Sequence, residues 1–316
     1  MRKILIIHAG AVGDFILALP ALAALRQAHP YAHIEIIGHP AILELGRLAE
    51  YVDQITPLSR SELHHLFVTG QELSIDLALR LSAYDGVVSW FGAADPSYRA
   101  ALTARSPHAI IERGLPRPDR AQHATDYLLD TIKPLLPPHF IVTERAPRLP
   151  IPLAHRRAAA TFLAERGLLR EDQYILAIHP GSGSLRKCWP AEQFAELANE
   201  LEDRRQAKVL LIEGPADAAP CRSVAAHRGH RPTVHLRQPS LTDLAAVLSH
   251  CTQFVGNDSG VTHLAAAVGI PTLAFFGPTD PQIWGPRGSS VRILHQPLGQ
   301  LATAAALAAI STTGSP

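Results

Sequence analysis

Three short runs in this chain combine residue types that do chemistry with glycines that let a ligand approach the backbone. The first is "HAGAVGDF" at 8–15, where Asp14 follows Gly13 at the start of a helix and just after a β-branched strand. A carboxylate there has two readings. It caps the helix, as Asp often does, or it serves as a general base that takes a proton from a hydroxyl. The run is not the dinucleotide fingerprint, because Gly10 and Gly13 give only GxxG and the third glycine is missing.

The second run is "HPGSGSLRKCWP" at 179–190. Gly181, Ser182, Gly183 and Ser184 offer unobstructed N–H groups and hydroxyls that can wrap an anion, and Lys187 adds positive charge. The spacing differs from GxxxxGK[ST], so it is not a Walker site. A surface lysine after a flexible loop is the plain alternative. The third run, "GNDSGVTHLAAAVGIPTLAFFGPTDP" at 256–281, places Asp258, Ser259 and Gly260 at a helix N-terminus, where N–H groups and a partial positive charge favour phosphate. His263 lies four residues after Ser259 and hence on the same helix face. Alone it is a structural histidine; beside a pyrophosphate it can give a proton or hydrogen bond to the leaving group. One such turn is weak evidence. Two in one half of the chain, with Gly277-Pro278-Thr279-Asp280 beyond them, point to a nucleoside-diphosphate site.

These runs need elements to position them. Strands are expected at 3–7, 33–37, 52–56, 86–89 and 108–112, with a helix at 14–27 and further helices between them. Strand, helix and strand at the first spacing make a parallel βαβ unit. The segment 134–152 is dense in proline, which fixes φ and removes a donor, so it reads as a linker. A second series follows, with helices at 153–166, 194–204 and 241–248 and strands at 174–178, 208–212, 253–255 and 271–276. Two α/β series joined by a proline-rich segment imply two Rossmann-like domains, 1–150 and 151–316, with parallel sheets facing across a cleft. Each glycine-rich run follows a strand, where ligands of such sheets bind.

Composition sets the outer bounds. A chain of 316 residues with 47% hydrophobic and 18% charged residues suits a well-buried two-domain α/β protein rather than a disordered one. The net charge is +1, and basic and acidic residues nearly cancel in each half, so nothing steers the chain to nucleic acid. One local excess, Arg99, Arg105, Arg113, Arg117 and Arg120 against Glu112 and Asp119, is either a solvated surface or an anion-binding rim. Cys188, Cys221 and Cys251 are far apart, which excludes a zinc ribbon and a disulfide framework and fits a reducing compartment. No apolar run approaches the ~20 residues that span a bilayer. The chain reads as cytoplasmic, with at most peripheral contact with the inner face of the inner membrane.

In "GAVGDFILALPAL", "HPGSGSLRKCWP" and the third run above, in that order and separation, the chain resembles glycosyltransferase family 9, the ADP-heptose:lipopolysaccharide heptosyltransferases. The resemblance implies a GT-B fold with the acceptor on the first domain and an ADP-sugar donor on the second. It implies inverting, metal-independent transfer of a heptose or related sugar to a lipid-linked or core oligosaccharide acceptor of lipopolysaccharide. The general base then falls on Asp14. Phosphate ligands fall on Ser182, Gly183, Ser184, Lys187, Asp258, Ser259 and Gly260, with His263 nearby. The ribose carboxylate is Glu213 or Asp217, and the base rests near Pro239 and Ser240. The segment 84–99 departs from the family by placing Trp90 and Phe91 where many relatives are polar. No cofactor is implied, and no Asp-x-Asp pair suited to Mg²⁺ occurs in the chain. Two other classes share this architecture: an epimerase acting on nucleotide sugars, which needs a further carboxylate pair around the sugar, and a non-catalytic nucleotide-sugar-binding relative, which needs no base.

Overall fold

The computed structural model describes residues 1–70, 72–117, 121–169 and 172–311. They form two compact units, Met1–Pro147 and Arg148–Pro316. The first comprises β1 (Lys3–His8), α1 (Val12–Ala28), β2 (His33–Gly38), α2 (Pro40–Leu48), β3 (Gln54–Pro57), α3 (Ile75–Ser82), β4 (Gly86–Ser89), α4 (Pro96–Arg105), β5 (Ile110–Ile111) and α5 (Ala124–Thr131). Its sheet has the order β3-β2-β1-β4-β5 and every pairing is parallel. A parallel strand is covered on both faces, so β1 reads as an aliphatic run and β2 as one broken only by Glu35, whose buried carboxylate is met by Thr56 and Arg80; both strands bury every residue but the first. Helix α1 is apolar nearly all round and is buried from Phe15 to Leu22.

The chain moves outward from β1 to β3 and then returns to start β4 on the other side of β1. That reversal opens a crevice at the carboxyl ends of β1 and β4, where ligands of such sheets bind. Ile7 is in register with Ser89, and the Trp90 N–H donates to the Ile7 carbonyl (2.9 Å). The run holding Asp14 and the divergent segment with Trp90 therefore leave the sheet side by side.

The second unit comprises α6 (Leu153–Glu165), β6 (Ile175–His179), α7 (Ala191–Arg205), β7 (Lys208–Glu213), α8 (Ala218–Arg228), β8 (Val234–Arg237), α9 (Leu241–Leu248), β9 (Gln253–Asn257), α10 (Gly260–Val268), β10 (Thr272–Phe276), α11 (Pro281–Trp284), β11 (Val291–His295) and α12 (Thr303–Ser311). The sheet order is β11-β10-β9-β6-β7-β8, again wholly parallel. Its reversal lies between β6 and β9, with His179 in register with Gly256. The second and third glycine-rich runs are the turns that leave those two strands. The Gly277–Asp280 turn follows β10, one strand farther out, and there Asp280 caps the short α11 through the Gln282 N–H.

The two units divide at Pro147, close to the expected 150, and buried Leu149 donates its N–H to the Ala267 carbonyl in the second unit (2.8 Å). One expectation needs correction. Asp14 is not an N-cap. The helix begins at Val12 with Ala11 as its cap, so Asp14 stands at the third helical position. The strands β8 and β11 were not anticipated; both are half-exposed sheet edges in which His and Arg interrupt the apolar pattern.

Gly38 ends β2 against β1, and a Cβ on it would lie 2.0 Å from the His8 carbonyl oxygen. Gly38→Ala must push the two strands apart at the mouth of the first crevice. We expect a loss of about 1–3 kcal/mol of stability, the usual range for forced overpacking, measurable by urea unfolding.

Candidate active site

In the second unit the turn after β6 and the turn after β9 are laced together. Asn257, fully buried at the end of β9, accepts the Trp189 N–H on Oδ1 (2.8 Å) and donates Nδ2–H to the Pro180 carbonyl (2.8 Å). Ser182 donates its hydroxyl to the Asp258 carbonyl (2.7 Å), and Lys187 Nζ pairs with Asp258 Oδ2 (2.8 Å). Trp189 anchors the far end: its ring packs on Phe194 and Phe275, and its Nε1–H donates to the Leu301 carbonyl (2.8 Å). Between these fastenings Gly183 is exposed, and a Cβ there would meet nothing within 4 Å. Ser184 is likewise exposed and caps a 3-10 turn over Leu185–Lys187 through the Arg186 N–H.

Helix α10 starts at Gly260 with Ser259 as its cap, the Ser259 hydroxyl accepting the Thr262 N–H (3.4 Å). The Thr262 N–H also reaches the Ser259 carbonyl (3.1 Å), so Gly260 and Val261 are the first-turn residues whose N–H groups a helix terminus leaves for an anion. Asp258 is almost wholly buried beside them, and its carboxylate answers Lys187. The structure thus brings Ser182, Gly183, Ser184, Lys187, Asp258, Ser259 and Gly260 to one place. His263 lies one turn into α10 and is buried.

The two acidic candidates at the end of β7 separate clearly. Asp217 turns inward: Oδ2 takes the His179 Nε2–H (2.9 Å) and the Gly214 N–H (3.1 Å), and a Cβ on Gly181 would come 1.9 Å from Oδ1. The hydrogen bond from His179 is the chief reason its carboxyl is held below the usual range, outweighing burial. Glu213 is committed less, with its carboxylate 3.8 Å from Arg237 Nε. Its carbonyl accepts the Gln238 N–H (2.7 Å), which sets it beside the loop carrying Pro239; Ser240 then caps α9. The two side chains are equally buried; they differ in that Asp217 accepts two hydrogen bonds while Glu213 has the longer contact to Arg237.

In the first unit the Asp14 carboxylate accepts the Ala11 N–H (3.1 Å) and so closes its own loop. His8 sits beneath that loop, edge-on to Phe15 and Trp90 at centroid distances of 5.3 and 6.0 Å. Burial lowers its pKa to about 4, so the ring is neutral near pH 7, and Nδ1 accepts the Gly10 N–H (3.3 Å). Next to Trp90 lies a cavity of about 420 Å³ lined by Arg99, Glu112, Arg113, Arg117 and Tyr127. An apolar hollow of about 390 Å³ adjoins it, with Phe67, Trp90 and Phe91 in its wall. Three of the five clustered arginines therefore line one concavity. Arg105 does not, and Arg120 and Asp119 lie outside the described residues. Arg99 also holds the Ile111 carbonyl (2.8 Å).

Sequence reasoning passed over His179, Asn257 and His8. The first two stand at strand ends flanking the reversal of the sheet, a position that could have flagged them. Among the described residues no group of three or more His, Cys, Asp or Glu side chains could hold a metal ion, and no helix is long and apolar enough to cross a membrane.

A wholly parallel sheet whose reversal carries two glycine-rich turns makes the second unit a doubly wound α/β protein, the class whose ligands bind at such reversals. The profile of glycosyltransferase family 9 (heptosyltransferase) matches residues 140–309, and the chain belongs to that family. Lipopolysaccharide heptosyltransferase 1 of Pseudomonas aeruginosa is 25% identical to it over 303 residues, 91% of this chain and 82% of that protein. The crystal structure of the glycosyl transferase family 9 protein from Veillonella parvula superposes with a TM-score of 0.81 at 21% identity, covering 99% of this chain and 97% of that one. Escherichia coli heptosyltransferase WaaC with ADP gives a TM-score of 0.71 at 21% identity, covering 99% and 100%. These likenesses show a GT-B-like fold with two parallel sheets.

Replacing Asn257 tests the lacing. Asn257→Ala leaves the Trp189 N–H and the Pro180 carbonyl without their partner in a dry site, at about 1–3 kcal/mol for each group left unsatisfied. The expected result is a lower urea midpoint with faster proteolytic cutting within 180–189. Asn257→Asp keeps an acceptor for Trp189 but sets a carboxylate against the Pro180 carbonyl, and it should be destabilised as well.

Proposed function

We propose that the chain is an inverting glycosyltransferase that moves a heptose, or a closely related sugar, from an ADP-sugar to an anionic glycan acceptor of the lipopolysaccharide core. The observation that carries this reading is the pair of laced turns at the β6/β9 reversal, with Lys187 and the α10 N-terminus converging on one place. The likeness to Escherichia coli heptosyltransferase WaaC with ADP supports the same donor class.

In this reading Gly183, Ser184 and the first N–H groups of α10 receive the diphosphate, and Lys187 exchanges Asp258 for it. Glu213 takes the ribose, and the base rests near Pro239. Asp258 and Ser182, expected as further phosphate ligands, also shape the turn through the Ser182–Asp258 and Lys187–Asp258 contacts. The acceptor hydroxyl attacks the anomeric carbon and loses its proton to Asp14, while the bond from that carbon to the diphosphate oxygen breaks with inversion. Charge building on the departing diphosphate is met by Lys187 and backbone donors, each typically worth ~2.7–4 kcal/mol to the transition state. The buried His263 is close enough in sequence to Ser259 to share that task. Arg113 and Arg117 suit an acceptor bearing phosphate or carboxylate groups.

The direct test is turnover of ADP-heptose with a purified core acceptor, followed by mass spectrometry; no transfer to any core acceptor overturns the reading. Two variants divide the roles. Asp14→Asn should leave donor affinity nearly intact and lower turnover by roughly 10²–10⁴-fold, the range of a general base. Lys187→Ala should weaken ADP binding, seen by calorimetry, with little effect on adenosine.

Activity should survive excess EDTA, because Lys187 and backbone donors stand where a divalent cation would otherwise balance the diphosphate. Loss on chelation that Mg²⁺ restores would contradict this.

A further inference from the structure

The β4–α4 turn carries the two aromatic residues in which the sequence departs from the family pattern, and the proposed function employs only the arginines beside it. The structure separates the two aromatics. Trp90 is almost wholly buried, its ring edge-on to His8 and its Nε1–H donating to Thr131 Oγ1 (3.0 Å), so it belongs to the framework. Phe91 is only half-buried. Its ring meets Phe67 and Tyr98 edge-on at centroid distances of 5.6 and 5.9 Å and lines the apolar hollow of about 390 Å³. Leu115, 37% exposed, lines the same hollow.

The turn fixes Phe91 before any ligand arrives. Ser89 donates its hydroxyl to the Phe91 carbonyl (2.8 Å), so the Tyr98 hydroxyl, 2.8 Å away, is the donor to Ser89 Oγ. Tyr98 keeps that proton, because burial pushes its phenol up to about 12. Gly92 has a φ of +70°, and a Cβ on it would fall 2.5 Å from the Tyr98 ring, so the chain turns tightly over the tyrosine. Asp95 then caps α4 through the Tyr98 N–H (2.9 Å). A ring held in this way loses little freedom when a ligand covers it.

The hollow and the cationic cavity share Ala93, Ala94, Glu112 and Arg113 in their walls. A group seated against Phe91 therefore lies next to the arginines, and among the cavity's described lining residues Glu112 is the one acid. A merely solvated basic surface needs no concave apolar wall, and a patch of core would not leave Phe91 and Leu115 open to water. We propose that the two concavities form one subsite for an amphipathic anion: a sugar whose carboxylate or phosphate lies among Arg99, Arg113 and Arg117 and whose attached apolar group covers Phe91 and Leu115. The arginines attract the charge. The hollow selects, since an anionic sugar without the apolar group leaves it wet. Phe91 is thereby a specificity-determining residue.

That this ligand is the acceptor of sugar transfer rests on the function proposed above; its binding does not, so the two can fail separately. Phenyl β-D-glucuronide, methyl β-D-glucuronide and phenyl β-D-glucoside serve as probes in NMR titrations. The wild-type protein should bind the first roughly tenfold more tightly than either of the others, as one further buried ring or one further charge warrants. Added salt should weaken both glucuronides and leave the glucoside unchanged. Phe91→Ala should reduce phenyl glucuronide to the affinity of methyl glucuronide. Arg113→Ala combined with Arg117→Ala should reduce it to that of phenyl glucoside. Should Phe91→Ala not fold, Leu115→Ser, at an exposed position of the same hollow, decides by narrowing the preference for the phenyl group. Equal binding of phenyl and methyl glucuronide by the wild type, binding of neither, or a preference that survives both hollow variants overturns the proposal. ADP is titrated alongside. ADP binding without glucuronide binding overturns the subsite and leaves the donor site standing; glucuronide binding without ADP binding keeps the subsite and refutes the donor site.

Discussion

One buried amide holds the second unit's site in shape. Asn257 has a donor and an acceptor at its tip and no water to satisfy either, so both must find protein partners. They find them at the two ends of one loop, the Pro180 carbonyl and the Trp189 N–H. A loop stapled at both ends to a central strand keeps its entry and exit fixed while its middle stays open. That is why residues as small and permissive as Gly183 and Ser184 can stand exposed without the segment losing its course. Trp189 extends the constraint into the core, since its ring is clamped by Phe194 and Phe275.

The carboxylates divide by what already holds them. Asp217 accepts two hydrogen bonds and is walled in by two glycines, and Asp258 is buried against a lysine. Both shape the site from behind. Glu213 makes a long contact to Arg237, and Asp14 accepts the Ala11 N–H at the mouth of its own loop. Acidic residues that look alike in sequence thus differ in how firmly the fold already holds them once burial and partners are known. His8 shows the same division among histidines: burial keeps it neutral beneath the Asp14 loop, where it accepts a backbone N–H and adds no charge to that carboxylate.

Much of this architecture was legible in the sequence because parallel strands are covered on both faces and announce themselves as aliphatic runs. β1, β2, β6, β7 and β10 stand out in this way, and the glycine-rich turns follow from where those runs stop. The edges are harder. β8 and β11 carry His and Arg because one side of each meets solvent, and that erases the signal. β5 falls inside the strand expected at 108–112 but is reduced to the two residues Ile110–Ile111. The helix cap was misplaced because Asp in a first turn and Asp at a cap look the same until the hydrogen bond to Ala11 is seen. The arginine cluster divided for a similar reason. Arg99, Arg113 and Arg117 meet around a cavity through the fold of α4, β5 and the segment after it, whereas Arg105, at the end of α4, does not line it. Side-chain partnerships across strands, such as His179 with Asp217 and Asn257 with Trp189, depend on sheet order, which spacing along the chain does not reveal.

The Lys187–Asp258 pair has a consequence for selectivity. With its lysine answered by a buried carboxylate, the turn's remaining charge is the exposed Arg186, outside the pair. A chloride ion that drew Lys187 away would leave Asp258 uncompensated in a poorly solvated spot, an exchange of one counter-ion for another with little gain. A ligand with several negative oxygens is different: it can engage the lysine, the loop amides and the helix end at once, and the sum exceeds what the resting pair gives up. The turn thereby discriminates by the number of charges an anion can present together, so that the small salts around it compete weakly for the place.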